Sequence, residues 1–309
     1  MVGNRIFSIV VVDYKSADKT IDYIYHLKNK LNEMVDIVIV DNSVDYVNTE
    51  KFVSEFGMET DVQYSEYGEV SFCKYEYGML YLINPNKNLG YAKGNNLGVF
   101  FASKELKSKY SIISNNDIKI SGDYLQLDKF KSVFNSYENV AIVGPKIVGQ
   151  KGENQSPCKK KSIWTRWIFM SLIYPYHTII RRPTSSDLLK NAEEGIVYRV
   201  QGSFFALRND IFVKVGGFDP FTFLYAEEMI LSEKFIQFGY KVYYLKEIQV
   251  LHEHSQTISN HYDALKRMRI RFESEMYYYK TYLHVPNYQL KLAVFLFKWY
   301  ERKYIRKNP

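Results

Sequence analysis

Three short runs in the 309-residue chain are apolar and rich in β-branched residues, and each ends in a cluster of acids and amides. Phe7 to Val12 runs into Asp13-Tyr14, Asp36 to Val40 into Asp41-Asn42-Ser43, and Tyr110 to Ile113 into Ser114-Asn115-Asn116-Asp117. Runs without polar alternation read as strands buried on both faces, the pattern of a parallel sheet flanked by helices. Between the first two, Ser16 suits a helix N-cap, and Ile21, Ile24, Leu27 and Leu31 fall at helical spacing, completing a βαβ unit. Ligands of open α/β sheets sit at the carboxyl ends of the strands. Asp13, Tyr14 and Asp41 are expected there. Asp41-Asn42-Ser43 equally suits an ordinary turn, since Asp and Asn favour turns.

The phosphate-binding signatures of common nucleotide folds are missing: neither Gly-x-Gly-x-x-Gly nor a Walker motif follows the first strand. Residues 44–79 show weak periodicity, and Leu80 to Ile83 reads as a short strand. Asn88, Gly90 and Asn95 then lie in an Asn- and Gly-rich loop that opens a helix, where backbone N–H groups can meet an anion. A capped helix start without a ligand explains the same residues. Asp117, after a buried strand, offers hard oxygen suited to Mg²⁺ or Mn²⁺, or else belongs to a β-turn. Val140 to Val143 is a fourth strand, residues 149–165 read as a mobile basic loop, and Val197 to Leu207 reads as a strand broken by Gly202.

The stretch from Gly202 to Ser255 organises the second half. Glu227 and Glu228 stand just inside a helix that is expected to stop at Gly239, after a glycine turn (Gly216-Gly217) and the aromatic residues Phe218, Phe221, Phe223 and Tyr225. A carboxylate near apolar walls can be tuned as a general base. Strand-like segments lead on to His252, whose plain reading is a core-facing histidine. From about residue 260 the chain reads as two helices broken at Pro286, the second ending in interleaved aromatic and basic residues.

Composition narrows the partners. Aromatic residues reach 17%, with 28 Tyr and 20 Phe, which suits sugar stacking, interfaces or a membrane surface. The net charge of +7 favours anionic partners. Cys73 and Cys158 have no metal-ligand spacing and do not suggest a disulfide scaffold. No signal peptide or apolar run of about 20 residues is visible, so a soluble or peripheral cytoplasmic protein is expected.

Taken in order, the motifs resemble the family 2 glycosyltransferases, especially their rhamnosyltransferase-like branch. The resemblance covers about residues 6–257 and rests on Asp13-Tyr14-Lys15, Asp41-Asn42-Ser43, Asn88 to Gly98, Asn115-Asn116-Asp117, Gly202 to Ala206, Val215 to Asp219, Phe223 to Glu228 and His252 to Ser255. It implies an α/β GT-A fold: a Rossmann-like nucleotide-binding half with a mixed central sheet, about residues 1–145, and an acceptor half, about 146–257. Residues 258–309 would form a C-terminal helical extension. It further implies a nucleotide-diphosphate sugar donor, Mn²⁺ or Mg²⁺, and a glycan or lipid-linked glycan acceptor. Asp41 matches the nucleobase contact, Asn115 the first position of the Asp-x-Asp element, Asp117 its metal ligand, and His252 the histidine near metal and diphosphate. Glu227-Glu228 matches the family's usual Glu-Asp pair, so Glu228 takes the place of the base but is one methylene longer than the usual Asp; Ile230 and Lys234 also depart, from the usual Asp and Arg.

The chemistry agrees with these residue types. A departing nucleoside diphosphate carries negative charge that a cation neutralises, and the acceptor hydroxyl must lose a proton to a positioned carboxylate. One base without a protein nucleophile implies inversion. The departures leave a non-catalytic binding subunit as an alternative. A nucleotidyltransferase is disfavoured because no Gly-rich basic loop follows the first strand, and no nucleic-acid-binding signature appears. The basic, aromatic C-terminus makes an anionic membrane surface a further expected partner.

Overall fold

The computed structural model describes residues 6–61, 66–173, 191–253 and 264–307. His254 and Ser255 of the last motif, and the Arg181-Arg182-Pro183 charge cluster, lie outside the described residues.

The apolar runs are the centre of one mixed sheet. β1 (Phe7–Asp13) pairs in parallel with β2 (Val35–Asp41) on one side and with β6 (Tyr110–Ser114) on the other. β5 (Gly78–Asn84) adds in parallel to β2, and β4 (Glu69–Tyr75) and β3 (Glu59–Asp61) continue antiparallel to the edge. On the other flank β10 (Phe204–Arg208) runs antiparallel between β6 and β8 (Val140–Gly149). β11 (Lys241–His252) follows parallel to β8, and β7 (Ile118–Ile120) and β9 (Gly195–Val197) both pair antiparallel with β11. The two apolar segments expected after Gly239 are one strand, interrupted by a register shift between Leu245 and Gln249.

Alternate residues of β1 and β2 feed two cores, as the period of a strand requires. Ile9, Val11, Ile37 and Ile39 pack with Ile24 and Leu27 of α1 (Ala17–Lys28). Val10, Val38 and Val40 pack with Val99 and Phe101 of α3 (Gly90–Lys104). The helix expected from Ile21 to Leu31 is therefore α1, ending slightly earlier. Residues 44–79 are more ordered than their sequence suggests. Asp45 caps α2 (Tyr46–Phe56) by accepting the backbone N–H of Asn48, Gly57 ends it at φ 58°, and β3, β4 and β5 form the sheet edge.

Residues 149–165 are anchored, which corrects the expected mobile loop. Gln155, Ser156 and Cys158 are buried, and Cys158 bridges to Arg199. The physical reason is local: a turn of Gly149 and Gly152 returns the chain onto β8, where the Gln155 N–H bonds the Ile147 carbonyl. Lys160 is 2.6 Å from the buried Glu233. The remaining helices are α4 (Leu127–Ser136), a π-helical turn (Trp164–Ile168) continued by α5 (Phe169–Ile173), α6 (Asn209–Lys214) and α7 (Glu227–Gln237).

The two C-terminal helices are α8 (Ala264–Thr281) and α9 (Asn287–Lys307), separated at Pro286 as the sequence implies. They build a third core with α7: Phe272, Tyr278, Tyr279, Ala293, Leu296 and Phe297 pack with Ile230 and Ala226. Trp167 meets Phe272 and Phe297 edge-on at 4.8 and 5.6 Å. Within this layer Glu275, 2% exposed, receives Arg166 Nε and Nη2 at 2.9 and 2.7 Å and Trp167 Nε1 at 2.7 Å. No described helix is long and apolar enough to cross a membrane.

Removing one partner of a buried ion pair strands the other's charge. Glu275→Ala should therefore cost about 3 kcal/mol in urea unfolding, whereas Glu273→Ala, at an exposed position of the same helix, should stay within about 0.5 kcal/mol.

Candidate active site

The strand-end acids meet as expected but face inward. Asp13 and Asp41 are register partners at the ends of β1 and β2, and both are fully buried. Asp13 accepts from Ser16 Oγ (2.6 Å), Thr20 Oγ1 (2.5 Å), the Ser16 N–H (3.2 Å) and Asn48 Nδ2 (2.8 Å). Asp41 accepts from Asn48 Nδ2 (2.9 Å), Thr49 Oγ1 (2.7 Å) and the Ser43 N–H (2.9 Å). Burial raises the Asp41 carboxyl above its ordinary pKa, and the bonds from Thr49 and Ser43 offset part of that rise. These two carboxylates shape the loops above them. Tyr14 is half-buried beside Lys15, which adopts φ 52° and donates its N–H to Ser43 Oγ at 2.8 Å.

The Asn- and Gly-rich segment joins the two halves. Asn88 Oδ1 accepts the Gly90 N–H at 2.9 Å, and Asn42 Nδ2 donates to the Gly90 carbonyl at 2.9 Å. Gly90 has φ 70°, and a Cβ there would lie 2.8 Å from the Phe223 ring. Asn95, expected in the loop, lies inside α3 instead; it is buried and donates to the Tyr91 carbonyl at 2.9 Å. The helix begins at Gly90, which carries Asn95 beyond the first turn. Its neighbour Asn96 clamps the glycine turn, donating to the Phe218 carbonyl at 2.9 Å and accepting the Phe218 N–H at 2.8 Å.

Asp117 and His252 come together across the β7–β11 pair. His252 Nε2 lies 3.3 Å from Asp117 Oδ1, and both side chains are buried. Sequence reasoning missed Gln155, whose Oε1 is 2.8 Å from His252 Nδ1 while its Nε2 donates to Glu153 at 3.1 Å. That orientation puts the ring proton on Nδ1 and turns the Nε2 electron pair toward Asp117. Two electron pairs facing each other at 3.3 Å need a proton or a cation between them. The oxygen and nitrogen donors fit Mn²⁺ or Mg²⁺ with further oxygen ligands from elsewhere. Among the described residues no group of three or more His, Cys, Asp and Glu could hold a metal. Asn115 donates its N–H to the Ser203 carbonyl at 2.8 Å, and Asn116 Nδ2 donates to Ser16 Oγ and Thr20 Oγ1 at 3.1 and 2.7 Å.

The acidic pair connects to this cluster through the Gly202-Ser203 backbone. A Cβ on Gly202 would sit 2.1 Å from Glu228 Oε1, so the glycine backbone forms the floor under that carboxylate. Tyr91 Oη donates to the Gly202 carbonyl at 2.6 Å, and burial together with Glu228 and Glu227 raises its phenol well above the ordinary pKa. Glu228 is half-buried; Glu227 is 4% exposed, and its Oε1 has no hydrogen-bond partner among the described residues. Burial first, then the charge of Glu228, pushes the Glu227 carboxyl up from 4.5 to about 8. Tyr225 and Ala226, just before the pair, adopt φ 72° and 66°, an unfavourable left-handed conformation for residues with a Cβ.

The loop before the pair is tied to α8. Asp219 accepts from Tyr282 Oη (2.5 Å) and Tyr277 Oη (2.8 Å), and Ser274 Oγ donates to the Leu224 carbonyl at 2.9 Å. Phe221 stacks on Tyr277 with centroids 3.9 Å apart, and the Arg271 guanidinium lies 4.4 Å from the Tyr225 ring centre. Ile230 is fully buried in the third core, and Lys234 Nζ donates to the Gly217 carbonyl at 2.5 Å. The departures at Ile230 and Lys234 thus have structural work.

No family model matches the chain. Over 226 residues it is 23% identical to the low-salt glycan biosynthesis hexosyltransferase Agl10 of Haloferax volcanii, covering 72% of this chain and 59% of that protein. Over 84 residues it is 37% identical to the O-antigen chain rhamnosyltransferase WbaN of Salmonella anatum, covering 27% of this chain and 25% of that protein. The chain therefore spans less than two thirds of either relative. Among solved structures, S. aureus TarS 1-349 in complex with UDP-GlcNAc has a TM-score of 0.51 at 14% identity, with 87% of this chain and 64% of that one covered. The mannosyltransferase PcManGT of Pyrobaculum calidifontis, in complex with GDP-Man and Mn²⁺, has a TM-score of 0.51 at 12% identity, with 96% and 75% covered. The fold is GT-A. The relatives agree with the resemblance to family 2 glycosyltransferases and their rhamnosyltransferase-like branch.

The buried Glu227 yields a stability test. Its folded-state pKa is raised, so its contribution is fully present below pH 4.5 and is lost as pH rises through about 8. Glu227→Gln removes the cost of ionisation. The melting temperature of the variant relative to wild type should climb across that window; a difference that stays flat or falls contradicts the assignment.

Proposed function

We propose that the chain is an inverting glycosyltransferase that moves a sugar from a nucleoside-diphosphate donor to a hydroxyl of a growing cell-surface glycan, carried on a lipid. The observation that carries this reading is the seat of Glu228. Its carboxylate lies on Gly202, next to Ser203, whose carbonyl holds Asn115 two residues before Asp117. This link through Gly202 and Ser203 supports reading Glu228 as the base and Asp117 with His252 as the candidate metal pair of one site. The glycan hexosyltransferase and O-antigen rhamnosyltransferase relatives support the reaction class. The UDP-GlcNAc and GDP-Man held by the structural neighbours support the donor class.

In this reading Glu228 accepts the proton of the acceptor hydroxyl as its oxygen attacks the anomeric carbon. The bond from that carbon to the diphosphate oxygen breaks, and the diphosphate leaves with the electron pair. Single displacement at one carbon inverts its configuration. Burial favours the neutral form of Glu227, and the half-buried Glu228 on Gly202 is the better exposed of the two to accept the proton. Asp117 and His252 would hold Mn²⁺ or Mg²⁺, which supplies positive charge against the leaving diphosphate. Gln155 fixes the histidine ring for that role. Asn88, Gly90 and the α3 N-terminus would face the donor phosphates, and the loops shaped by Asp13, Tyr14 and Asp41 its nucleoside. A lipid-linked acceptor would keep the protein at the membrane periphery.

Glu228→Gln should retain donor binding and lose transfer by about 10²-fold or more, measured as nucleoside diphosphate released with Mn²⁺ and acceptor present. If Glu227→Gln is the slower variant, the base is Glu227. Asp117→Ala should abolish the Mn²⁺-dependent part of nucleoside diphosphate binding in calorimetry and keep the melting transition. Unchanged affinity removes Asp117 from the metal site.

A further inference from the structure

The solvent face of α9 carries a continuous stripe: Tyr288, Lys291, Phe295, Lys298 and Arg302 are all exposed, at spacings of three and four residues. That is one face of a helix. Its two aromatic side chains are 65% and 68% exposed, although the opposite face of the same helix buries Ala293, Leu296 and Phe297 in the third core. Phe169 and Leu172 of α5, which packs against α9, are each 48% exposed.

Charge is distributed as unevenly as the aromatics. Residues 264–309 hold eleven Lys and Arg against three Glu, a net of +8, whereas the whole chain carries +7. Everything before residue 264 therefore sums to −1. Two of the three acids are engaged: Glu275 is buried with Arg166, and Glu301 pairs with Arg269. The basic stripe is thus not neutralised along its own length.

We propose that this face of α9, with Phe169 and Leu172, docks on an anionic lipid bilayer. Aromatic side chains enter the headgroup boundary while lysine and arginine meet the lipid charge, which is how interfacial helices bind. Both ingredients lie in one stripe, and the inward face is already occupied by the core, so the outward face is available for a partner. A polyanion such as RNA would use the charges alone and gain nothing from Phe295. The use of such docking rests on the lipid-linked acceptor proposed above, but the contact itself does not require it.

The test uses the full chain without donor or acceptor, so its outcome is independent of transferase activity. Co-sedimentation with phosphatidylcholine vesicles should give no binding, and vesicles that also contain phosphatidylglycerol should bind the protein at low salt and release it at high salt. Lys291→Gln/Lys298→Gln/Arg302→Gln should weaken binding about 10²-fold, and Tyr288→Ser/Phe295→Ser should weaken it about tenfold. All five side chains are exposed, so the melting temperatures should hold; if a combined variant unfolds, the single Lys298→Gln and Phe295→Ser substitutions are read in the same way. Wild-type protein that ignores anionic vesicles at low salt overturns the proposal. Binding that survives the basic substitutions overturns it as well. Vesicle binding that is lost with the charges but unchanged by the serine variants marks a polyanion site instead.

Discussion

Two carboxylates end adjacent parallel strands in register, and neither has access to water. Asp13 and Asp41 are fully buried, and Asn48 donates to both. Buried charge without donors is expensive, so the chain around them is arranged to supply donors. Ser16 precedes α1 and Thr20 lies within it, Asn48 and Thr49 come from α2, and the Ser43 N–H from the turn between strand and helix. The same hydroxyls of Ser16 and Thr20 accept Asn116, which fixes the turn carrying Asp117. One electrostatic requirement thereby sets three loops at the sheet's carboxyl edge.

The loop before the acidic pair is set by packing and strain. Tyr225 and Ala226 hold left-handed backbone immediately before Glu227, a conformation that surrounding contacts must enforce. Those contacts come largely from α8 and the residue after it: Ser274 on the Leu224 carbonyl, Arg271 over Tyr225, and Tyr277 and Tyr282 on Asp219. Burial tends to raise the Asp219 carboxyl, but the bonds from Tyr282, the Phe221 N–H and Tyr277 bring it below its usual range. It accepts those bonds as an anion. The C-terminal helices therefore help to shape the loop that delivers the acidic pair.

Much of this was legible in the sequence because it is local. A strand buried on both faces has no polar alternation, so β1, β2 and β6 announce themselves, and Pro286 separates α8 from α9 where a helix cannot continue. The region from 44 to 79 was obscure because α2 depends on a cap at Asp45 and on Phe52 finding its core, and edge strands alternate weakly. Gln155 could not be read at all. It meets His252 across 97 residues, and a glutamine in a basic segment carries no local sign of that contact. Asn95 and Asn96 are adjacent in one motif, yet only the helical rotation fixed by Gly90 decides which reaches the Phe218 backbone.

The departures at Ile230 and Lys234 acquire meaning at this level. In the sequence they weaken the match to an acidic motif. In the fold, Ile230 is the point where α7 enters the core shared with α8 and α9, a place where an unpaired carboxylate would be costly. Lys234 reaches back along the helix to the Gly217 carbonyl, securing the glycine turn that Asn96 holds from the other side. Its burial lowers the ammonium pKa while Asp219 opposes that shift, so the lysine is placed to stabilise both the turn and the acid. Neither substitution removes a group from the Gly202 floor on which Glu228 rests. The packed layer at Ile230 and the Lys234 bond to Gly217 thus support the segment that presents Glu227 and Glu228.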